Sequence, residues 1–281
     1  MPDSIQRFLF ERAPIRGEVV HLEATWRSML ERHDYPELVR TLLGEMTASA
    51  ALLAATIKFE GSLILQMQGK GPINLLVAEC DDRGHLRATA KWQSIPEPGP
   101  LASILGEGRC AITLAAGPGK QSYQGIVDLE GASVSAVIEH YLRRSEQIET
   151  RLWLAVDDQR AGGLLLQKLP HAGDDDDWRR AQILAETLTR PELLELPAHA
   201  LIWRLFSQDD VRLFSPRPLA FHCSCTRERV VAMLRMLGYD EVRAILAERG
   251  AVEVGCEFCG QSYRFDRWDA ERVFTAAAGQ R

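Results

Sequence analysis

Phe221-His-Cys-Ser-Cys-Thr-Arg-Glu-Arg229 and Cys256-Glu-Phe-Cys259-Gly260 carry four of the chain's six cysteines, as two close pairs with thirty residues between them. Two such pairs, separated by a helix-sized insert, bring four thiolates to one tetrahedral centre. Zinc fits best: the ligands are soft sulfur, and Zn2+ asks for nothing beyond a tetrahedron. One Zn2+ per chain, held by Cys223, Cys225, Cys256 and Cys259, is therefore expected. His222 adjoins the site, but a full set of thiolates leaves it a neighbour. Cys80 and Cys110 lie in apolar strand candidates and read as inert core thiols.

Around this site the sequence predicts helices over 227–237 and 240–249 with Gly238 between them as a cap, a short strand over 263–265, and a final helical turn or two over 269–276. The resulting module, 221–281, is small enough that its stability must come largely from metal. Oxidation would act against it. Thiolates are the form oxidants attack. The local disulfides Cys223–Cys225 and Cys256–Cys259 close tight loops that constrain the unfolded chain little. Loss of zinc and loss of fold would follow together. An ordinary zinc ribbon shares this weakness, so the chemistry permits a switch without proving one.

Upstream, residues 1–172 read as an α+β domain with antiparallel sheets. Pro36 suits a first helical position, and Leu38, Leu42, Met46, Ala50 and Leu53 follow helical spacing over 36–57. A strand meander follows over 62–68, 73–80 and 86–92, with further strands over 111–115, 124–129, 152–156 and 164–169. A Gly-Pro-Gly turn at 117–119 joins two of them, and Ser133 caps a helix to about 147. Runs of strands with few helices point to α+β rather than strict alternation. Residues 173–220 form a linker that opens on four aspartates, Asp174 to Asp177, and continues as two helices over 178–206. That stretch is apolar for a connector. Its Trp178, Leu193, Leu194, Leu201, Ile202, Leu205 and Phe206 are candidates both for packing on the first domain and, once released, for contact with other proteins.

With 281 residues, 46% apolar and 26% charged, the chain has the composition of a soluble globular protein. Its net charge of −6 gives no reason to expect nucleic acid or an anionic membrane as partner. Residues 221–281 hold nine arginines, no lysine and nine acidic residues, a neutral balance unsuited to phosphate. The first sixteen residues carry no signal-peptide pattern, and the longest apolar runs, such as 48–57, are too short to span a bilayer. A cytoplasmic location is expected. Ala116-Gly-Pro-Gly-Lys120 departs from a phosphate loop at Leu114 and Gln121. Four cysteines leave zinc no open catalytic position, so an enzyme is not expected.

The chain resembles the bacterial redox-regulated holdase chaperones of the 33-kilodalton chaperonin, or heat-shock protein 33, family over essentially its whole length. The cysteine motifs with Arg227-Glu228-Arg229 are the most specific match. Leu52-Leu-Ala-Ala-Thr-Ile-Lys-Phe-Glu-Gly61, Tyr123-Gln-Gly-Ile-Val127, Ser145-Glu-Gln147 and Phe214-Ser-Pro-Arg-Pro218 match as well. The resemblance implies an inactive, reduced, zinc-bound monomer. It implies that oxidation forms Cys223–Cys225 and Cys256–Cys259, releases zinc, unfolds the module and destabilises the linker. The oxidised homodimer then holds unfolding client proteins without ATP during oxidative and heat stress.

Overall fold

The computed structural model describes residues 2–95, 97–117, 121–170 and 175–278. The first residues of the acidic run (171–174), and parts of the turn at 117–119 and of the loop at 116–120, lie outside it. The chain divides into two compact units, Met1–His222 and Cys223–Arg281.

The first unit begins with strands β1 (Ser4–Phe10) and β2 (Ile15–Leu22), then helices α1 (Ala24–Leu30) and α2 (Glu37–Thr56). The meander β3 (Ser62–Gly69), β4 (Ile73–Asp81) and β5 (His85–Trp92) follows, then α3 (Leu101–Leu105), β6 (Gly108–Ala115), β7 (Tyr123–Asp128) and α4 (Val134–Ser145). Strands β8 (Thr150–Val156) and β9 (Ala161–Lys168) lead into α5 (Asp175–Glu186), α6 (Arg190–Glu195) and α7 (Ala198–Phe206). Three short strands end the unit: β10 (Val211–Leu213), β11 (Arg217–Pro218) and β12 (Ala220–Phe221).

Two sheets result. The first runs β10-β1-β2-β9-β8, with β11 also on β1; the second runs β12-β5-β4-β3-β6-β7, and only its β12–β5 pair is parallel. Between them lies α2, with 14 of its 20 residues buried. A helix enclosed by sheets is apolar on nearly all sides. This gives α2 the length and composition of a membrane span, contrary to the expectation that no segment reaches that length; burial inside the unit accounts for it. Pro36 stands one position earlier than expected, as the extended N-cap residue. Ser133 does cap α4, its side chain accepting from the Ala136 N–H.

The first sheet is buried on both faces. Ile5, Val20, Leu22 and Leu165 turn toward α2, whereas Phe8, Phe10, Val19, Leu164 and Leu166 turn to the opposite side. Gly17 pairs with Phe8, whose ring occupies the space a Cβ there would need. Against this second face pack α5, α6 and α7, three helices rather than the expected two. Thr189 and Glu192 form a capping box that starts α6 beside Pro191, and Pro197 starts α7. Phe206 closes the layer, its ring centroid 5.0 Å from Phe10 and 6.0 Å from Phe8.

Glu45 on α2 is a half-buried carboxyl pushed up to about 7 by burial. A raised folded-state value means the folded protein holds a proton that the unfolded chain has lost, so stability falls as pH rises from the ordinary glutamate range through 7. Glu45→Gln should therefore stabilise the protein by about 1–3 kcal/mol near pH ~8 and by little near pH ~5. Urea midpoints at the two pH values read this directly; an equal gain at both would place the effect elsewhere.

Candidate metal centre

The second unit builds its site from local rules. After the first cysteine pair, Thr226 caps α8 (Arg227–Leu237), accepting from the Arg229 N–H, and Gly238 ends it at φ 97°. Helix α9 (Tyr239–Arg249) returns to a hairpin, β13 (Val252–Gly255) and β14 (Ser262–Phe265), and α10 (Arg267–Ala278) finishes the unit. Both hairpin strands and α10 are longer or additional relative to the sequence expectation. The second cysteine pair sits in the hairpin loop. There the Gly260 N–H donates to the Cys256 carbonyl at 2.8 Å, and Gly260 takes φ 71°, a conformation that favours glycine.

This folding brings the four sulfurs together. Cys223, Cys225, Cys256 and Cys259 all have Sγ within 4.8 Å of one another, the one such cluster able to hold a metal ion among the described residues. Cys223 and Cys256 Sγ lie 3.6 Å apart, Cys225 and Cys259 Sγ lie 3.3 Å apart, and all four thiols are free. Sulfurs bound at about 2.3 Å around a tetrahedral ion lie about 3.8 Å apart. The cluster thus has the dimensions of a four-thiolate site. Burial pushes the Cys259 thiol up, with the bonds to Cys225, Cys223 and Cys256 adding to it and the Gln261 backbone opposing. Four thiolates repel one another in this space; a divalent ion removes that conflict and deprotonates all four.

Neighbours to which the sequence reading gave no role at the sulfurs, although Arg227 and Arg229 belong to the matched motif, hold them in place. Tyr263 donates its hydroxyl to Cys225 Sγ at 3.2 Å, which raises the phenol to about 12. Arg229 reaches Ser224 Oγ at 2.6 Å and so braces the Cys-x-Cys turn. Arg227 binds the Arg264 carbonyl and Asp269 and lies 4.2 Å over the Phe265 ring. The sequence signal was modest: a tyrosine four residues past the last cysteine, and arginines after the first pair. His222 belongs to the first unit, where its ring lies 4.6 Å from His85. Cys80 and Cys110 are buried in the second sheet, each raised to about 12 chiefly by desolvation.

The metal-site candidates come together; the client-contact candidates lie elsewhere. Trp178, Leu193, Leu194, Leu201, Ile202, Leu205 and Phe206 are all buried, sharing one cluster with the first sheet.

An α+β unit whose last helices cover one sheet, followed by a small unit with four clustered thiols, defines a two-part protein with a candidate metal centre. The chain belongs to the Hsp33 protein family, whose model matches residues 3–266. It is 49% identical to the 33 kDa chaperonin of Methylobacillus flagellatus, over 97% of this chain and 94% of that protein. It is 48% identical to the 33 kDa chaperonin of Nitrosococcus oceani, with the same coverage. The crystal structure of the 33 kDa chaperonin (heat shock protein 33 homologue) from Thermotoga maritima shares the fold, with TM-score 0.84 and 20% identity over 99% of this chain and all of that one.

Proposed function

We propose that this chain is a cytoplasmic, ATP-independent holdase chaperone switched on by oxidation, acting by binding and not by catalysis. The observation that carries the reading is the cluster of four free thiols in a unit with little other core. Among the described residues its buried apolar side chains are Val230, Leu234, Val242, Ala251, Val252, Phe265, Ala270 and Val273. Zinc is the proposed ion, one per chain, because soft sulfur ligands in a tetrahedron suit it best.

In this reading residues 1–172 are a stable platform, 173–220 a releasable linker and 221–281 the sensor. Each disulfide forms as two thiolates pass two electrons to one peroxide, which takes up two protons and leaves as two waters. Zn2+ departs because its donors are consumed. All four sulfurs are near one another, so proximity does not select the pairing. The family resemblance favours the local pairs Cys223–Cys225 and Cys256–Cys259, and these leave the thirty-residue insert without a staple. The unit then loses its fold, and the linker helices loosen from the first sheet. Apolar residues from Trp178 to Phe206 become available to unfolding client proteins, and the oxidised chains dimerise.

Light scattering of a chemically unfolded client tests this, with reduced zinc-loaded protein beside peroxide-treated protein. The expected result is release of about one zinc per chain, aggregation suppressed only by the oxidised form, and local disulfides in the peptide map. Zinc release without suppression by either form would remove the chaperone assignment; crossed disulfides between the pairs would remove the unfolding switch.

A further inference from the structure

Inside the first unit lies a cavity of about 340 Å³, within the size range of small-molecule sites. Two larger hollows carry charged groups at their walls that pair with each other, Lys168 with Asp175 in one and Lys70 with Glu107 in the other. This one differs in chemistry. Its walls are apolar: Leu53 from α2, Leu63 from β3, Ile112 and Leu114 from β6, and Leu142 from α4. Ile57 and Tyr123, 41% and 52% exposed, mark where it reaches the surface.

The polar groups at its wall are unequal. Glu146 is engaged, its Oε1 accepting from the hydroxyls of Tyr123 at 3.1 Å and Tyr141 at 3.2 Å. Arg16 is a cation with only a neutral partner. Its Nε and Nη2 both donate to Gln167 Oε1, at 2.9 and 2.6 Å, and it makes no ion pair among the described residues. The nearest carboxylate on its strand, Glu18, accepts instead from Arg7 Nε at 2.7 Å. Burial and the Arg7 charge both act against the Arg16 cation, and Glu18 offsets them only in part. A guanidinium has five N–H donors, so most of its capacity to bind an anion is left over.

From this the geometry points to a binding site for a single-chain carboxylate amphiphile, its hydrocarbon body among the leucines and isoleucines and its carboxylate on Arg16. Charge complementarity selects the carboxylate over a neutral alcohol, because Arg16 contributes charge-assisted hydrogen bonds that a hydroxyl does not match. The volume favours a medium-length chain. The site is independent of the redox reading above, since none of its residues belongs to the cysteine unit.

The test is calorimetric titration of the full-length reduced protein with decanoate, below its micelle concentration, with decanol as the neutral comparison. Expected are one saturable site per chain, decanoate bound at least about tenfold more tightly than decanol, a roughly tenfold loss for decanoate alone in Arg16→Gln, and recovery in Arg16→Lys. Thermal melts of each variant show whether the fold is kept. Leu114→Trp, which fills the cavity from one wall, should abolish binding of both probes. No saturation, equal affinity for the two probes, or undiminished decanoate binding in Arg16→Gln or Leu114→Trp would each overturn the assignment.

Discussion

Cys225→Ser is expected to remove metal binding and the fold of the second unit in one step. Structural zinc in small modules is worth on the order of 10–16 kcal/mol of apparent binding energy, and that energy is folding energy. The unit's eight buried apolar side chains among the described residues form too small a core to replace it. Serine oxygen is a harder and less acidic donor than thiolate, so three sulfurs and a hydroxyl hold Zn2+ far more weakly. Chelator-read zinc should fall from about one per chain to none. Limited proteolysis should digest the region after His222 and the loosened linker, while residues 1–172 survive, because that platform has its own core. A variant that kept tight zinc binding and a protected C-terminal unit would refute the four-cysteine assignment.

Phe206→Ala should have the second largest effect, and it acts on the linker instead of the metal. The Phe206 ring is 2% exposed and sits between Phe8 and Phe10 of β1. Removing a buried phenylalanine costs about 3–5 kcal/mol. Here the cost falls on the contact between α7 and the first sheet, whereas the α2 layer lies on the sheet's other face. Hydrogen exchange should therefore rise across α5, α6 and α7 and stay low in α2. Under the proposed function, this variant suppresses client aggregation while still reduced and zinc-loaded. Loosened helices with no gain in reduced-state activity would show that linker release is not the step that exposes the binding surface.

What was legible in advance followed from local chemistry. Four thiols at two close spacings point to a metal site, because soft ligands in close pairs suit one tetrahedral centre. Gly238 as a helix end and Ser133 as a cap are equally local, since each involves backbone groups within four residues. The meander was readable from alternation and from the turns at 69–72 and 82–84.

Elements defined by distant partners were not readable. Strand β1 lacks a clean alternation and owes its place to β2, to β10 and to a helix layer about two hundred residues away. The apolar run over 178–206 could be recognised as needing cover, but not that Phe8, Phe10, Leu164 and Leu166 supply it. Charges and hydroxyls behave likewise: Tyr263 meets Cys225, and Arg16 is left with Gln167 while Arg7 takes Glu18. By itself, then, the sequence determined the α+β class, the four-sulfur site and the family resemblance, all of which depend on residue type over short spans. Tertiary structure alone decided which faces are covered, which side chains brace the sulfurs and where a cation is left without an anion, because those outcomes depend on pairings between residues far apart in the chain.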